Sequence, residues 1–315
     1  MNCTVCASGE HEFMFSGKDQ MLNIEGEYSL YRCCKCKSLL IKPVPKNLDK
    51  HYPRERYYAL KGEDGIPGSG DALFRVFYAK NSSHILKLLS WPLRKAFRST
   101  KIVTNGNFLD VGCGSGHFLV YMQTHGMNCY GVDSGRFSQE FAAKHNLNIF
   151  HGEVAKAKYP SDFFDVITMN HTLEHVVNPS ETLRELCRIL KPKGRLIIGV
   201  PQLHSIAYKI FQRHWAELDI PRHMFVCSTK NLKKLVTQAG FTTTKTRYNS
   251  NPVSFIMSII YWKNSRSKNK IFFENIDWGK PLYGLLFFIF LPMCFICDVL
   301  HLGDQVELFV TKRDE

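Results

Sequence analysis

The run Asn107-Phe-Leu-Asp-Val-Gly-Cys-Gly-Ser-Gly-His-Phe-Leu119 decides the reading of this chain. Phe108, Leu109 and Val111 make a short apolar strand, Gly112 to Gly116 a tight turn, and His117 onward has helical spacing. A strand, a Gly-rich turn and a helix start form a ligand cradle, because glycines let backbone approach closely and the helix start offers free N–H groups. The spacing is G-x-G-x-G and not the G-x-G-x-x-G of dinucleotide sites. Asp110 at the strand end favours a cationic or amine-bearing ligand over a pyrophosphate.

Downstream the chain alternates. Strands are predicted at 127–132, 147–151, 163–170 and 196–200, with helices at 136–145 and 180–190 between them. Such alternation implies a parallel sheet covered on both faces. Asp133 ends the second strand, 21 residues beyond Gly112, where an acid can accept both ribose hydroxyls of a nucleoside.

Leu109-Asp-Val-Gly-Cys-Gly-Ser-Gly116, taken with Asp133, resembles the first motifs of class I S-adenosylmethionine (SAM) methyltransferases. The resemblance implies an α/β, Rossmann-like seven-stranded class I methyltransferase sheet whose last strand, 305–312, is antiparallel. By the same resemblance SAM is held by Asp110, Gly112, Cys113, Gly114, Gly116, Asp133, Ser134, Glu153 and Asn170.

Cys3-x-x-Cys6 and Cys33-x-x-Cys36 are separated by 26 residues. Two such knuckles can close a tetrahedral four-cysteine zinc site, and Cys34 is a spare. A closed four-thiolate site has no open position, so this Zn2+ is expected to be structural. Residues 1–45 therefore read as a small zinc ribbon. Met1 to Cys6 is polar, and eleven cysteines with no visible secretory signal argue for reduced thiols in the cytoplasm.

Residues 46–101 read as a linker followed by basic amphipathic helices, and 102–315 as the methyltransferase domain with an apolar insertion at 252–300. A short helix is expected at 51–60 and a Gly-rich lid or linker at 62–70. Ala72 to Lys101 holds seven basic residues and no acid, interleaved with Phe74, Phe77, Trp91 and Phe97. Such a segment reads either as helices whose apolar face packs on the domain and whose basic face is solvated, or, with a net charge of +13, as the place where an anionic partner binds: a phosphate-bearing substrate, a membrane surface or nucleic acid. The wide apolar face favours peripheral or monotopic contact at the inner face of an anionic membrane over RNA.

The acceptor side is expected after the fourth strand, at Asn170-His-Thr-Leu-Glu-His175. His171, Glu174 and His175 are spaced to share one face of a helical turn. By resemblance to SAM methyltransferases Glu174 and His175 can simply organise the loop; beside that, two chemistries fit. One histidine acts as general base, or the three residues hold a divalent metal that activates a hydroxyl. Ubiquinone-pathway O-methyltransferases carry a similar Glu-x-x-Glu-His triad, from which His171 departs at the first position. Trp215 and Pro221-Arg-His223-Met-Phe225 resemble a block in zinc-headed bacterial sugar and glycan methyltransferases. That resemblance adds His223 to the acceptor side and implies a small-molecule or sugar/glycan acceptor, free or lipid-linked. RNA methylation, quinone-type O-methylation and a non-enzymatic zinc-ribbon scaffold are the alternatives. Leu282 to Cys297 is uncharged but short for a bilayer span, and the strand after it belongs to the same sheet, so the run is expected to lie in the core or at an interface.

Overall fold

A computed structural model describes residues 2–45, 47–53, 56, 105–135 and 139–313. The loop expected at 62–70 and the basic helices at 72–101 lie outside the described residues, as does most of the helix expected at 51–60. A 3-10 turn occupies Leu48–His51.

The head contributes β1 (His11–Gly17), β2 (Tyr28–Cys33) and β3 (Leu39–Lys42). The large domain begins with β4 (Gly106–Val111), α1 (His117–Gln123), β5 (Met127–Asp133), α2 (Gln139–Lys144) and β6 (Asn148–His151). It continues through β7 (Phe164–Asn170), α3 (Pro179–Ile189), β8 (Leu190–Pro201) and α4 (Ile206–Phe211). Then come β9 (Phe225–Val226), α5 (Thr229–Gln238), β10 (Phe241–Tyr248), α6 (Pro252–Asn264), α7 (Pro281–Val299) and β11 (Gln305–Lys312).

Seven strands form the main sheet in the order β10-β11-β8-β7-β4-β5-β6. Strands β4 to β8 are parallel, while β11 runs antiparallel between β8 and β10. The centre of the sheet is buried because β4, β7 and β11 are largely apolar on both faces, while the edge strands β6 and β10 are more exposed. Val306, Leu308 and Val310 oppose Val200, Ile198 and Leu196, and all six are buried. On α3, Leu183, Leu186 and Ile189 recur at helical spacing and are fully buried. Each such side chain contributes roughly 1.5–3 kcal/mol. Parallel order places the carboxyl ends of β4, β5, β7 and β8 on one edge, where the sheet reverses between β4 and β7. That edge is where ligands bind in this architecture.

A second sheet has the order β1-β2-β3-β9. Its last strand belongs to the large domain: Leu39 pairs with Val226 and Leu40 with Phe225. The head is thus docked on the chain directly after His223, and Asn231 Nδ2 donates to the Cys36 carbonyl at 2.7 Å to fix the second contact. The head's Leu30, Leu39, Leu40 and Ile41 share one apolar core with the large domain.

Candidate active site

The glycine loop closes the end of β4. Gly112 has φ +76, and a Cβ there would meet Thr172 Oγ1 at 2.1 Å, so only glycine fits. Gly112 N–H donates to the Val132 carbonyl at 2.7 Å, and Gly114 N–H to Asp133 Oδ2 at 2.8 Å. Asp133 Oδ1 accepts from Gly135 N–H at 2.7 Å. The second-strand acid therefore holds the loop while its carboxylate lies at the strand end. Asp110 is fully buried and accepts from Thr168 Oγ1 at 2.7 Å. Cys113 packs inward against Gly131, and Gly116 caps α1 in a left-handed conformation. Ser134 and Glu153 are exposed, with Glu153 3.3 Å from Lys156. Gly152 N–H donates to the Asp133 carbonyl, which brings Glu153 to the same edge. Asn170 ends β7 against Gly199. A glycine-rich cradle beside two carboxylates suits a nucleoside that carries a positive centre.

The segment after β7 is attached to that cradle by Thr172, whose Oγ1 donates to the Val111 carbonyl at 3.1 Å. Sequence spacing places His171, Glu174 and His175 on one helical face, but the structure divides them. His171 is left-handed (φ +48) and only Leu173–His175 forms a turn. His171 Nδ1 still lies 3.3 Å from Glu174 Oε1. His175 turns instead to His223, with ring centroids 4.7 Å apart. One ligating atom from each of Glu174, His175 and His223 lies within 4.8 Å of the other two.

Hydrogen bonds set the roles of the ring nitrogens. His223 Nδ1 donates to the Glu217 carbonyl at 2.7 Å, leaving the Nε2 lone pair 3.9 Å from Glu174 Oε1. His175 Nδ1 lies 2.9 Å from the Arg222 carbonyl, which can only accept, and 2.8 Å from Tyr52 Oη. That leaves His175 Nε2 as an acceptor. Glu174 is buried, and neither of its oxygens has a well-aligned hydrogen-bond donor. The acceptor atoms of Glu174, His175 and His223 therefore converge, with His171 Nδ1 standing 3.3 Å from Glu174 Oε1 on one side of them. Such a group is complementary to a hydroxyl or a cation, because buried acceptors left unmatched are costly.

The electrostatics agree. Burial, reinforced by His175, pushes His223 down to about 4. Burial works against a charge on His171, but the paired Glu174 carboxylate outweighs it and draws His171 up to about 9. Burial likewise opposes ionisation of Glu174, yet its three histidine neighbours hold it below the usual carboxylate range. Near neutral pH the pocket therefore holds an ionised Glu174, a charged His171 and a neutral His223.

Sequence reasoning missed Tyr52, Glu217 and the buried cluster of Arg222 with Asp19 and Asp219. Tyr52 reaches the pocket across 123 positions of sequence, which no local pattern reveals. Arg222 lies inside the quoted block, and a basic residue beside Asp219 was the available signal.

In the head, Cys3 Sγ and Cys36 Sγ are 3.6 Å apart, as are Cys6 Sγ and Cys33 Sγ. Zn–S bonds of about 2.3 Å at tetrahedral angles place sulfurs about 3.8 Å apart, so the four thiols fit zinc. The two knuckles are alike: Ala7 and Lys37 are left-handed and donate to the Cys3 and Cys33 carbonyls at 2.8 and 2.9 Å.

This chain belongs to the methyltransferase-domain family, whose family model matches residues 83–246. Its strand order and glycine loop are those of the class I SAM-dependent methyltransferases. The mitochondrial ubiquinone biosynthesis O-methyltransferase of Schizosaccharomyces pombe is 32% identical over 116 residues, covering 34% of this chain and 42% of that protein. The ubiquinone biosynthesis O-methyltransferase of Pseudomonas fluorescens is 31% identical over 125 residues, covering 37% and 54%. The chain spans about half the length of these curated relatives. A solved SAM-dependent methyltransferase from Archaeoglobus fulgidus aligns over 77% of this chain and 99% of that one, at 17% identity and a TM-score of 0.44.

Proposed function

We propose that this protein transfers the methyl group of SAM to a hydroxyl of a sugar or glycan intermediate, free or lipid-linked. The observation that carries the reading is the convergence of His223 Nε2 and Glu174 on one space, joined through Thr172 to the glycine loop. When bound, SAM supplies a methyl group on a positively charged sulfur. The loop of Gly112 to Gly116, with Asp110 and Asp133, would hold it, and Ser134, Glu153 and Asn170 stand along the same edge. His223 Nε2 is set to receive the proton that the acceptor hydroxyl sheds as its oxygen is methylated. Glu174 balances the imidazolium so formed, and Glu217 fixes the ring through its carbonyl. Tyr52 and the Arg222 carbonyl orient His175 as a second acceptor for the substrate. Several acceptor atoms in one pocket favour a donor-rich acceptor such as a sugar over a quinol with few hydroxyls.

A bound divalent cation is the second reading, favoured by the spacing of Glu174, His175 and His223. It would activate the same hydroxyl by lowering its pKa.

Calorimetric titration with SAM, and separately with NADH, tests the cofactor. Binding of SAM alone is expected. Asp133→Ala should weaken SAM by ~1.5–3 kcal/mol, since it removes charge-assisted hydrogen bonds. Unchanged affinity in a folded variant would remove Asp133 from the site.

For the head we propose a structural Zn2+ on Cys3, Cys6, Cys33 and Cys36. The purified protein should hold one zinc per chain by elemental analysis. Because β3 pairs with β9 beside His223, stripping zinc should lower the melting temperature and raise KM for the acceptor. Zinc-free protein with an unchanged melt would refute the assignment.

A further inference from the structure

α7 carries two stripes at helical spacing. Tyr283, Phe287, Phe290, Cys294 and Cys297 turn inward, where the rings of Phe290 and Phe255 on α6 stack at 5.8 Å. Leu282, Leu285, Phe288, Ile289, Ile296 and Val299 turn outward and are exposed, Phe288 by 67%. The outer stripe of a water-facing helix is normally polar. Here it has no charged side chain, and of the whole helix just Cys294, Cys297 and Asp298 are buried. At 19 residues the helix that carries it runs about 28 Å. An exposed apolar patch of that extent marks an interaction site.

Its surroundings indicate what covers it. The chain between α6 and α7 exposes Arg266, Lys268, Lys270 and Lys280, and Lys263 is exposed at the end of α6. Of the two acids in that stretch, Glu274 is paired with Arg56. Trp262 and Trp278 are exposed beside the basic residues, and the Arg266 guanidinium lies 4.1 Å over the Trp262 ring. Trp278 packs on Tyr283 of α7 with ring centroids 5.4 Å apart and Lys280 caps the helix start, so the apolar stripe begins at a Trp and a Lys, the residue types of the boundary between acyl chains and anionic headgroups. The charge of +13 over the whole chain acts in the same direction.

Topology fixes how the helix can lie. β10 precedes the insertion, β11 follows it, and the two are paired neighbours in one sheet. Both ends of the insertion therefore stay on one side of any membrane, and a single crossing by α7 would separate them. We infer that the outer face of α7 docks on an anionic lipid bilayer, the helix lying along the interface with its neighbouring lysines and Arg266 against lipid phosphates. This inference is independent of the methyl acceptor.

Flotation of the full chain with vesicles tests it. The protein should float with vesicles of phosphatidylcholine containing about one third phosphatidylglycerol, and much less with phosphatidylcholine alone. Binding should fall as salt rises from about 0.1 to 0.5 M. Replacing Leu285, Phe288 and Ile289 by Ser, Asn and Gln should weaken vesicle binding at least tenfold, on the order expected for withdrawing three apolar side chains. Lys268→Glu with Lys270→Glu should weaken it by roughly fivefold or more per residue. All these side chains are exposed, so SAM affinity and the melting temperature should not change. Absence of flotation with anionic vesicles would overturn the proposal. So would a concentration-dependent dimer, dissolved by the triple variant, that fails to bind vesicles; the face would then be a contact between copies of this chain.

Discussion

His223→Asn is expected to lower kcat by about 10²–10⁴-fold, the range for loss of a general base, while SAM affinity stays unchanged. The argument rests on the ring's two nitrogens. Nδ1 is committed to the Glu217 carbonyl, so Nε2 carries the lone pair into the pocket. Asparagine can keep a donor toward Glu217 but offers no atom that takes up a proton at neutral pH. Glu174→Gln should cost less, because it removes the charge that steadies the imidazolium and leaves the base in place. The pH profile gives a second readout. His223 titrates at about 4, so it is neutral and competent well below neutrality, and kcat/KM should fall only as pH drops toward 4. His171 is held protonated up to about 9, so an alkaline decline is expected there as Glu174 loses its counter-charge. His171→Gln should remove that limb. Elemental analysis of the active enzyme separates the two readings of the pocket: full activity with the head's zinc as the one metal supports His223 as base, and a second divalent ion that is lost from the Glu174→Gln variant supports the metal. A His223→Asn enzyme with near-normal kcat would end the base assignment.

The class of the sheet was legible because its determinants are local. Gly112, Gly114 and Gly116 lie within five positions, Asp110 and Asp133 end consecutive strands, and apolar runs such as Leu196 to Val200 are bounded by turns. The strand at 305–312 could be placed through its alternation, and it occupies the predicted antiparallel position. The pocket was half legible. Glu174, His175 and His223 were singled out, but helical spacing grouped His171 with His175 and left His223 apart. The pairing of His175 with His223 depends on a crossing between segments 48 positions apart, and on His171 being left-handed. The two C-x-x-C knuckles could be read because metal-ligand spacing is itself a local pattern. That β9 would complete the head's sheet could not, since Phe225-Val226 is too short to announce a strand. The outer stripe of α7 posed a different difficulty. Periodicity cannot show which side of a uniformly apolar helix faces the core, as the hydrophobicity is nearly the same all round.

Arg222→Ala should destabilise the protein by about 3–5 kcal/mol, the cost of breaking a buried ion pair from one side. Its guanidinium is fully buried between two carboxylates. It meets Asp219 at 2.6–3.0 Å and Asp19 at 2.9 Å, and Nη1 also donates to the His51 carbonyl at 3.3 Å. Asp19 belongs to the head, where its Oδ1 also accepts from the Met21 and Leu22 N–H groups. One side chain thus clamps the head, the 3-10 turn at Leu48–His51 and the segment that carries His223. Removing it leaves two buried carboxylates without a counter-charge. The sign of the pH dependence follows. Burial opposes ionisation of Asp219, but Arg222 outweighs it and lowers its pKa. In the native protein its stabilisation is therefore full above the unfolded value of about 3.9 and is lost as pH falls through the lower folded value. Without Arg222 the order reverses: the folded pKa rises above the unfolded one, and the variant loses stability as pH rises past 4. The gap in denaturation free energy between native protein and variant should therefore narrow on acidification from pH 7 toward 4. Adding Asp19→Asn and Asp219→Asn to Arg222→Met should recover much of the loss, because replacing a whole buried charge cluster costs far less than removing one member. If urea denaturation shows Arg222→Ala within 1 kcal/mol of native, the clamp does not hold the head in place.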